Sequence, residues 1–464
     1  MSSNFITEPS RDVPIRGSYD VIVAGGGTAG VIVAFKVASA GFKVALFESK
    51  SFLGGVGTMG LPYQGFYDIG GEPVVGGVPI DFVDRLRRVG GASEHFIQCE
   101  AHNPFLIVDP EAVKSVCQEM CMESGVEIHL HTLVTSVITQ GKEISAILTE
   151  SKSGREAYTA RVFIDTTGDG DLCERAGVPY TIGRDEDSRT QSSTLIFRLD
   201  GVDTDHLSEM VLSDPERYDL LPTLPREQFR VNRKHIMVGL SNLIDQAVKD
   251  GLDGIPWDRV CYITMLQDGA VAINMVHVSD RNATIATDLT AIELEGRQQI
   301  PGIMRFLKTY VPGFENATLT STAAWSGIRE TRHMRGRGLL TTEIVAKGVV
   351  GDDSVAIGGY PIDIHLPTDE EDLELTKVPR YGIPFGALLP EEYDNLLMAG
   401  RCISTTHRAF ASYRVMGTCM ATGEAAATAA IIALETDSHP ANVDVSSLRR
   451  RLSEDGAIVG DISM

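Results

Sequence analysis

The run Tyr19-Asp-Val-Ile-Val-Ala24 is continuously apolar from Val21 onward, the pattern of a strand buried on both faces of a parallel sheet. Glycines follow it, then helix-compatible packing residues from Val31 to Ala40, then a second apolar run from Lys43 to Phe47. Strand, glycine turn, helix and strand within about 30 residues predict a βαβ unit. Asp109-Pro110 opens an amphipathic helix running to Ser124, with Cys117 and Cys121 on one face. Val126–His131, Val134–Ile138, Ile144–Thr149 and Ala157–Ile164 read as strands.

Beyond residue 181 the texture changes. Thr194–Leu199 and Val271–Val278 read as isolated strands, while Asp205–Leu212, Arg233–Val248 and Asp288–Tyr310 read as helices. Thr290-x-x-Glu293 fits a capping box for the last of these. After Val378 Gly/Pro-rich turns return, with a strand at Asn395–Ala399 and an Ala-rich helix at Gly417–Leu434. The expected class is α/β. A nucleotide-binding domain of parallel sheet and helices comes from residues 18–180 and 378–440, with an α+β substrate domain inserted at 181–377. Residues 1–17 are expected to form a loose arm and 441–464 a tail.

Charge narrows the partners. The 464 residues carry 41 Lys and Arg against 63 Asp and Glu, a net charge of −22. Such a surface repels nucleic-acid backbones and anionic lipid, so neither nucleic acid nor membrane is expected as a partner. No charge-free apolar run reaches the roughly 18 residues of a membrane span. The seven scattered cysteines are an odd number that favours reduced thiols. The N-terminal segment lacks a signal-peptide core, and a cytoplasmic location is expected. A small-molecule substrate is the expected partner, and self-association as a homo-oligomer is left open.

The chemistry begins at Gly25-x-Gly27-x-x-Gly30, directly after a strand and opening a helix through Thr28 and Ala29. The first glycine permits the tight turn, the second lets backbone N–H groups approach a pyrophosphate, and the third allows close helix–strand packing. Glu48 ends the next strand, where a carboxylate accepts from a ribose 2′-hydroxyl, and no arginine adjoins it to welcome a 2′-phosphate. Dinucleotide binding follows. Ser49, Lys50, the pair Gly54-Gly55, Thr58 and Val134 are further candidates for the cofactor.

Later segments decide which dinucleotide. Ile164-Asp-Thr-Thr167-Gly168-Asp169-Gly-Asp171 follows a strand, and Asn395-Leu-Leu-Met-Ala-Gly400-Arg401-Cys-Ile-Ser404 precedes Gly417-Thr418-Cys-Met-Ala-Thr-Gly423. With these pieces the chain resembles the FAD-dependent oxidoreductases built on a glutathione-reductase-type Rossmann domain, relatives of the fumarate reductase flavoproteins. Ile328-Arg-Glu-Thr-Arg332, Gly358-Gly-Tyr-Pro-Ile-Asp363-Ile-His365 and residues 399–404 carry the closer match, and the resemblance spans roughly residues 18–434. It implies a Rossmann-type FAD-binding domain, FAD as cofactor, and contacts from Gly400, Arg401, Gly417 and Thr418 to the ribityl chain and the pyrimidine edge of the flavin. A helix N-terminus there suits the negative charge of a reduced flavin.

Candidate reacting groups are His407 and Arg414, between the last strand and last helix. In the fumarate reductase relatives a His and an Arg in this connection bind a substrate carboxylate. Each reads equally as a site residue or as a satisfied loop residue, and the Asn-Arg-Leu-Gly-Gly motif of those relatives is missing. Arg329, Arg332 and His333 would share a face if their segment is helical, either to bind a carboxylate or to form structural ion pairs. His365, oriented by Asp363, is the remaining candidate. His129-x-His131 has no third ligand nearby, so no metal centre is expected. The expected function is hydride transfer between a small organic substrate and flavin N5, a dehydrogenase or reductase activity. A flavin monooxygenase or halogenase, and a flavin-binding module without turnover, are the alternatives.

Overall fold

A computed structural model describes residues 6, 8–99, 101–231, 233–365 and 373–461; the outermost parts of the expected arm and tail, 1–5, 7 and 462–464, lie outside the described residues. The first strand, β1 (Ile15–Ala24), starts within the stretch expected to be a loose arm. Its residues Val21–Ala24 are fully buried, as an unalternating apolar run requires. It leads into α1 (Thr28–Ser39) and then β2 (Val44–Phe47), which pairs with it in parallel. After a helix at Val78–Arg88 come α2 (Pro110–Glu123), capped by the Asp109 carboxylate on the N–H groups of Glu111 and Ala112, and β3 (Glu127–His129). The strands β4 (Leu133–Gln140), β5 (Glu143–Ser151) and β6 (Gly154–Asp165) complete the main run.

The resulting sheet has seven strands in the order β3-β2-β1-β6-β5-β4, with Leu396–Met398 added in parallel beside β6. It is mixed, which corrects the expected parallel sheet. Strands β4, β5 and β6 are joined by short connections at residues 141–142 and 152–153, too short for a parallel crossover, so they pair antiparallel. The long β6 serves both kinds of neighbour, with β5 along its first half and Leu396–Met398 along its last residues.

A second sheet lies farther along the chain. Strand β7 (Tyr180–Ile182) comes first but among the described residues pairs only with β13 (Arg332–Met334). Between them β8 (Phe197–Asp200), β9 (Ile236–Gly239), β10 (Val260–Thr264), β11 (Val271–Ile273) and β12 (Thr318–Thr322) form an antiparallel sheet in the order β12-β8-β11-β10-β9. It has its own apolar core, which also receives Met59, Phe105 and Ile107 from the first third of the chain. Strand β9 replaces the first part of the helix expected at 233–248, and only Ser241–Lys249 is helical. Four consecutive buried apolar residues cannot be told from a helix segment by period.

The long α3 (Ala286–Tyr310) starts a turn earlier than the expected capping box. Thr290 donates instead to the Ala286 carbonyl at 2.8 Å, and Glu293 accepts from the Ser326 N–H at 2.5 Å. Near the C-terminus α4 (His407–Tyr413) fills what was expected as a loop, and α5 (Met416–Glu435) packs on α1. Small residues set that approach, since a Cβ on Gly423 would lie 2.8 Å from the Ala29 carbonyl oxygen. Lys36 of α1 ties the pair with 2.9 Å contacts to Glu424 and Asp455. Helix α5 is long and apolar enough to cross a membrane, and 89% of its most apolar 18-residue stretch is buried in the fold. All seven cysteines are buried free thiols, with Cys117 and Cys121 on the inner face of α2.

Candidate active site

The glycine loop after β1 is built for a close approach. Gly25 has φ +99°, and a Cβ on Gly30 would fall 1.9 Å from the Gly25 carbonyl oxygen, so α1 can meet β1 only with glycine there. Gly27 differs, because a Cβ on it would meet nothing within 4 Å. Thr28 and Ala29 open α1 with no side-chain cap and no acidic residue in the first turn, which leaves its N–H groups facing that open space. The arrangement fits an anion such as a pyrophosphate.

Glu48 stands beside this loop. Its carboxylate accepts from the Gly26 N–H at 2.8 Å, the Lys50 N–H at 2.8 Å and the Ser49 hydroxyl at 3.2 Å. The Gly54 N–H donates to the Gly26 carbonyl at 2.8 Å, and Thr58 closes the next turn on the Gly55 carbonyl at 2.7 Å. The Thr132 N–H donates to the Glu48 carbonyl at 3.0 Å, two residues before buried Val134 of β4. Glu48 and Gly54 thus hold their turns against the Gly25–Gly30 loop.

The segment after β6 turns on Asp165, a fully buried carboxylate that accepts from the N–H groups of Cys173 at 2.8 Å and Thr167 at 3.0 Å. Burial pushes its carboxyl upward despite those bonds. Gly168 packs under Arg401, and Asp169 accepts from Arg401 at 2.5 Å and from Thr331 at 2.7 Å. Arg332 adds bonds to the Asp169 carbonyl and the Asp171 carboxylate. The Gly400 N–H donates to Thr422 of α5 at 2.9 Å, holding this corner on the last helix. At the α5 N-terminus Gly417 is not a spare donor, since its N–H reaches the Gln64 carbonyl at 2.9 Å. Thr418 is: among the described residues its hydroxyl is buried without a partner, and no acidic residue occupies the first turn.

The Arg329–His333 cluster is not helical. The chain is irregular to Thr331 and extended in β13, so the three residues diverge. Arg329 donates to the Ser192 carbonyl at 2.6 Å, Arg332 goes to Asp169 and Asp171, and His333 goes to Glu330. Glu330, which the sequence reading passed over, is the hub. Its Oε1 accepts from His333 Nε2 at 2.7 Å and from His407 Nδ1 at 2.7 Å, and its Oε2 accepts from the Gln191 N–H at 2.9 Å. Burial works to raise this carboxyl, but the two histidine bonds outweigh it and hold it at about 2. Phe410, one turn along α4 from His407, packs edge-on against the His333 ring at 4.7 Å. The far nitrogen of His333, Nδ1, is buried without a partner among the described residues.

A second carboxylate lies on the other side of Gln191. Arg414 donates to the Asp363 carbonyl at 2.9 Å and reaches its carboxylate and the Gln191 side chain at 3.4 Å. His365 Nε2 stands 3.4 Å from the Asp363 carboxylate. Burial, with the Arg329 charge, pushes His365 down to about 3, so it is neutral and Asp363 is ionised. Burial and the Arg414 charge likewise push Arg329 down to about 10, still protonated. Among the described residues Gln191 Nε2 and Arg414 Nε are buried without hydrogen-bond partners, while Asp363 Oδ1 has the 3.4 Å approach of His365. The two unpaired donors are what a polar ligand would satisfy.

Several solved structures align with most of this chain at low identity. A geranylgeranyl bacteriochlorophyll reductase-like protein from Thermoplasma acidophilum is 11% identical, with a TM-score of 0.48 over 95% of this chain and 84% of that one. The p-nitrophenol 4-monooxygenase of Pseudomonas putida DLL-E4 is 12% identical, with a TM-score of 0.48 over 94% and 84%. A flavoprotein/dehydrogenase from Cytophaga hutchinsonii is 12% identical, with a TM-score of 0.48 over 94% and 82%. None of the curated proteins matches the sequence. The family model described as FAD dependent oxidoreductase matches residues 20–452, nearly the whole fold. FAD is the cofactor that the open Gly27 cradle, Glu48 and the unpartnered Thr418 fit, and the chain belongs to the FAD-dependent oxidoreductase family.

Proposed function

We propose that this protein is a dehydrogenase or reductase that moves a hydride between carbon of a small organic substrate and bound FAD. The observation that carries the reading is His407, whose Nδ1 is bound to a buried ionised carboxylate beside the unpartnered donors of Gln191 and Arg414. The Gly25–Gly30 loop and α1 N-terminus hold the pyrophosphate, Glu48 the adenosine ribose, and the α5 N-terminus with Thr418 the flavin pyrimidine edge. Bound FAD supplies a two-electron acceptor for hydride. His407 Nε2 takes the companion proton from the substrate, and Arg414 with Gln191 fixes the substrate's polar end. Residues 181–377 form the substrate-facing part of the fold.

The test is anaerobic. Purified protein is mixed with hydroxy acids, amines and sugars, and bleaching of the flavin absorbance is followed. Direct bleaching by a compound, with its two-electron oxidised product, supports the proposal. Flavin that is reduced only by a nicotinamide cofactor, and a substrate that then gains an oxygen or halogen atom in air, would overturn it in favour of a monooxygenase or halogenase.

A further inference from the structure

We infer that Glu330 is a positioning residue that fixes the tautomer of His407. The inference rests on the reading of His407 as the proton acceptor, and adds the group that makes it one. An ionised carboxylate can only accept hydrogen bonds, so the His407 nitrogen 2.7 Å from Glu330 Oε1, Nδ1, carries a hydrogen. The neutral ring then has its lone pair on Nε2, the nitrogen turned away from Glu330. The same oxygen accepts from His333 Nε2 at 2.7 Å, and the Gln191 N–H occupies the other oxygen. Glu330 is therefore held from three sides and cannot swing to follow either ring.

The charge of the cluster points the same way. Glu330 is 1% exposed, and among the described residues its ion-pair partners are His333 and His407, with no lysine or arginine. With both histidines neutral the cluster carries one uncompensated negative charge. When Nε2 takes a substrate proton, the imidazolium that forms lies against that charge, and the buried ion is neutralised at the moment of proton transfer. No net charge is left behind, and the proton now on Nε2 leaves to solvent or to the next acceptor after turnover. His333 is the counterpart that keeps Glu330 in place while His407 changes state, with Phe410 fixing its ring.

Glu330→Gln tests this. An amide can donate to His407 Nδ1 and so favour the tautomer with hydrogen on Nε2, which cannot accept the substrate proton. In the FAD-loaded enzyme the limiting rate of anaerobic flavin reduction should fall about 10²–10⁴-fold, while the substrate Kd stays within about threefold. Glu330→Asp keeps the charge and should recover at least about tenfold of that loss. The second readout needs no turnover. In histidine-labelled wild-type holoenzyme the ¹⁵N spectrum, assigned by the signal missing in His407→Ala, should show His407 with hydrogen on Nδ1 and a bare Nε2.

A wild-type His407 carrying its hydrogen on Nε2 would overturn the inference, whatever the kinetics. So would a Glu330→Gln limiting rate within about threefold of wild type while His407→Ala is slow. If His407→Ala itself reduces normally, the reading of His407 as base fails instead, and the tautomer spectrum still decides whether Glu330 fixes the ring.

Discussion

Glu330 and Asp363 are both buried carboxylates with a histidine against them, and Gln191 touches both neighbourhoods, Glu330 through its N–H and the Asp363 side through Arg414 and the His365 N–H. The difference is the permanent cation. Asp363 is met by Arg414, with Arg329 near enough for its charge to be felt, and both guanidiniums stay protonated near neutral pH. His365 is then superfluous as a counter-ion, and it sits neutral with its pKa pushed down to about 3. Glu330 has no such cation among the described residues, so its histidines are the groups able to carry the charge. One carboxylate–histidine pair is thereby an anchor, and the other is poised to take a proton.

The largest expected effect breaks the anchor. Asp363→Asn leaves Arg329 and Arg414 facing each other without an intervening charge, and should cost about 3–5 kcal/mol of stability, read as a fall in the thermal or urea midpoint. A midpoint within error of wild type would mean that the two guanidiniums are neutralised elsewhere. Next in size is an acid effect on the other carboxylate. Because folding lowers the Glu330 pKa from 4.5 to about 2, its contribution to stability is complete above pH 4.5 and is lost as the pH falls through about 2. The advantage of wild type over Glu330→Gln in urea melts should therefore shrink by on the order of 3 kcal/mol from pH 5 to pH 2. An advantage independent of pH would contradict the assignment.

The smallest effect sharpens the contrast between the histidines. His365 is already neutral far above its pKa of about 3, so it does not titrate between pH 5 and 9. His365→Asn should leave the acid limb of the flavin-reduction pH profile where it is in wild type. A limb displaced in this variant would contradict a neutral, non-titrating His365.

Much of the cofactor cradle was legible because its geometry is local. Gly25, Gly30 and Glu48 lie within one strand–helix–strand unit, and their spacing alone implies the turn and the close packing that the structure contains. The reacting cluster was hidden because its partners are far apart in sequence. His407 meets Glu330 across 77 residues and Thr331 meets Asp169 across 162, and no period in the chain encodes either contact. Arg329, Arg332 and His333 would share a face only if residues 328–335 were helical; the chain there is irregular and then extended, and it sends them to three different partners, Arg332 and His333 into ion pairs. Strand β9 was hidden for a different reason, being a buried apolar segment too short to show a period.

The division of labour is tested most directly by anaerobic stopped-flow reduction of the flavin in His407→Ala and Arg414→Ala, each measured over a range of substrate concentration. The account predicts that His407→Ala lowers the limiting rate about 10²–10⁴-fold with the substrate Kd retained, whereas Arg414→Ala raises Kd and largely keeps the limiting rate. Both variants should hold FAD at wild-type stoichiometry. A limiting rate in His407→Ala within about threefold of wild type would contradict the account, because that lies far below the contribution of a general base.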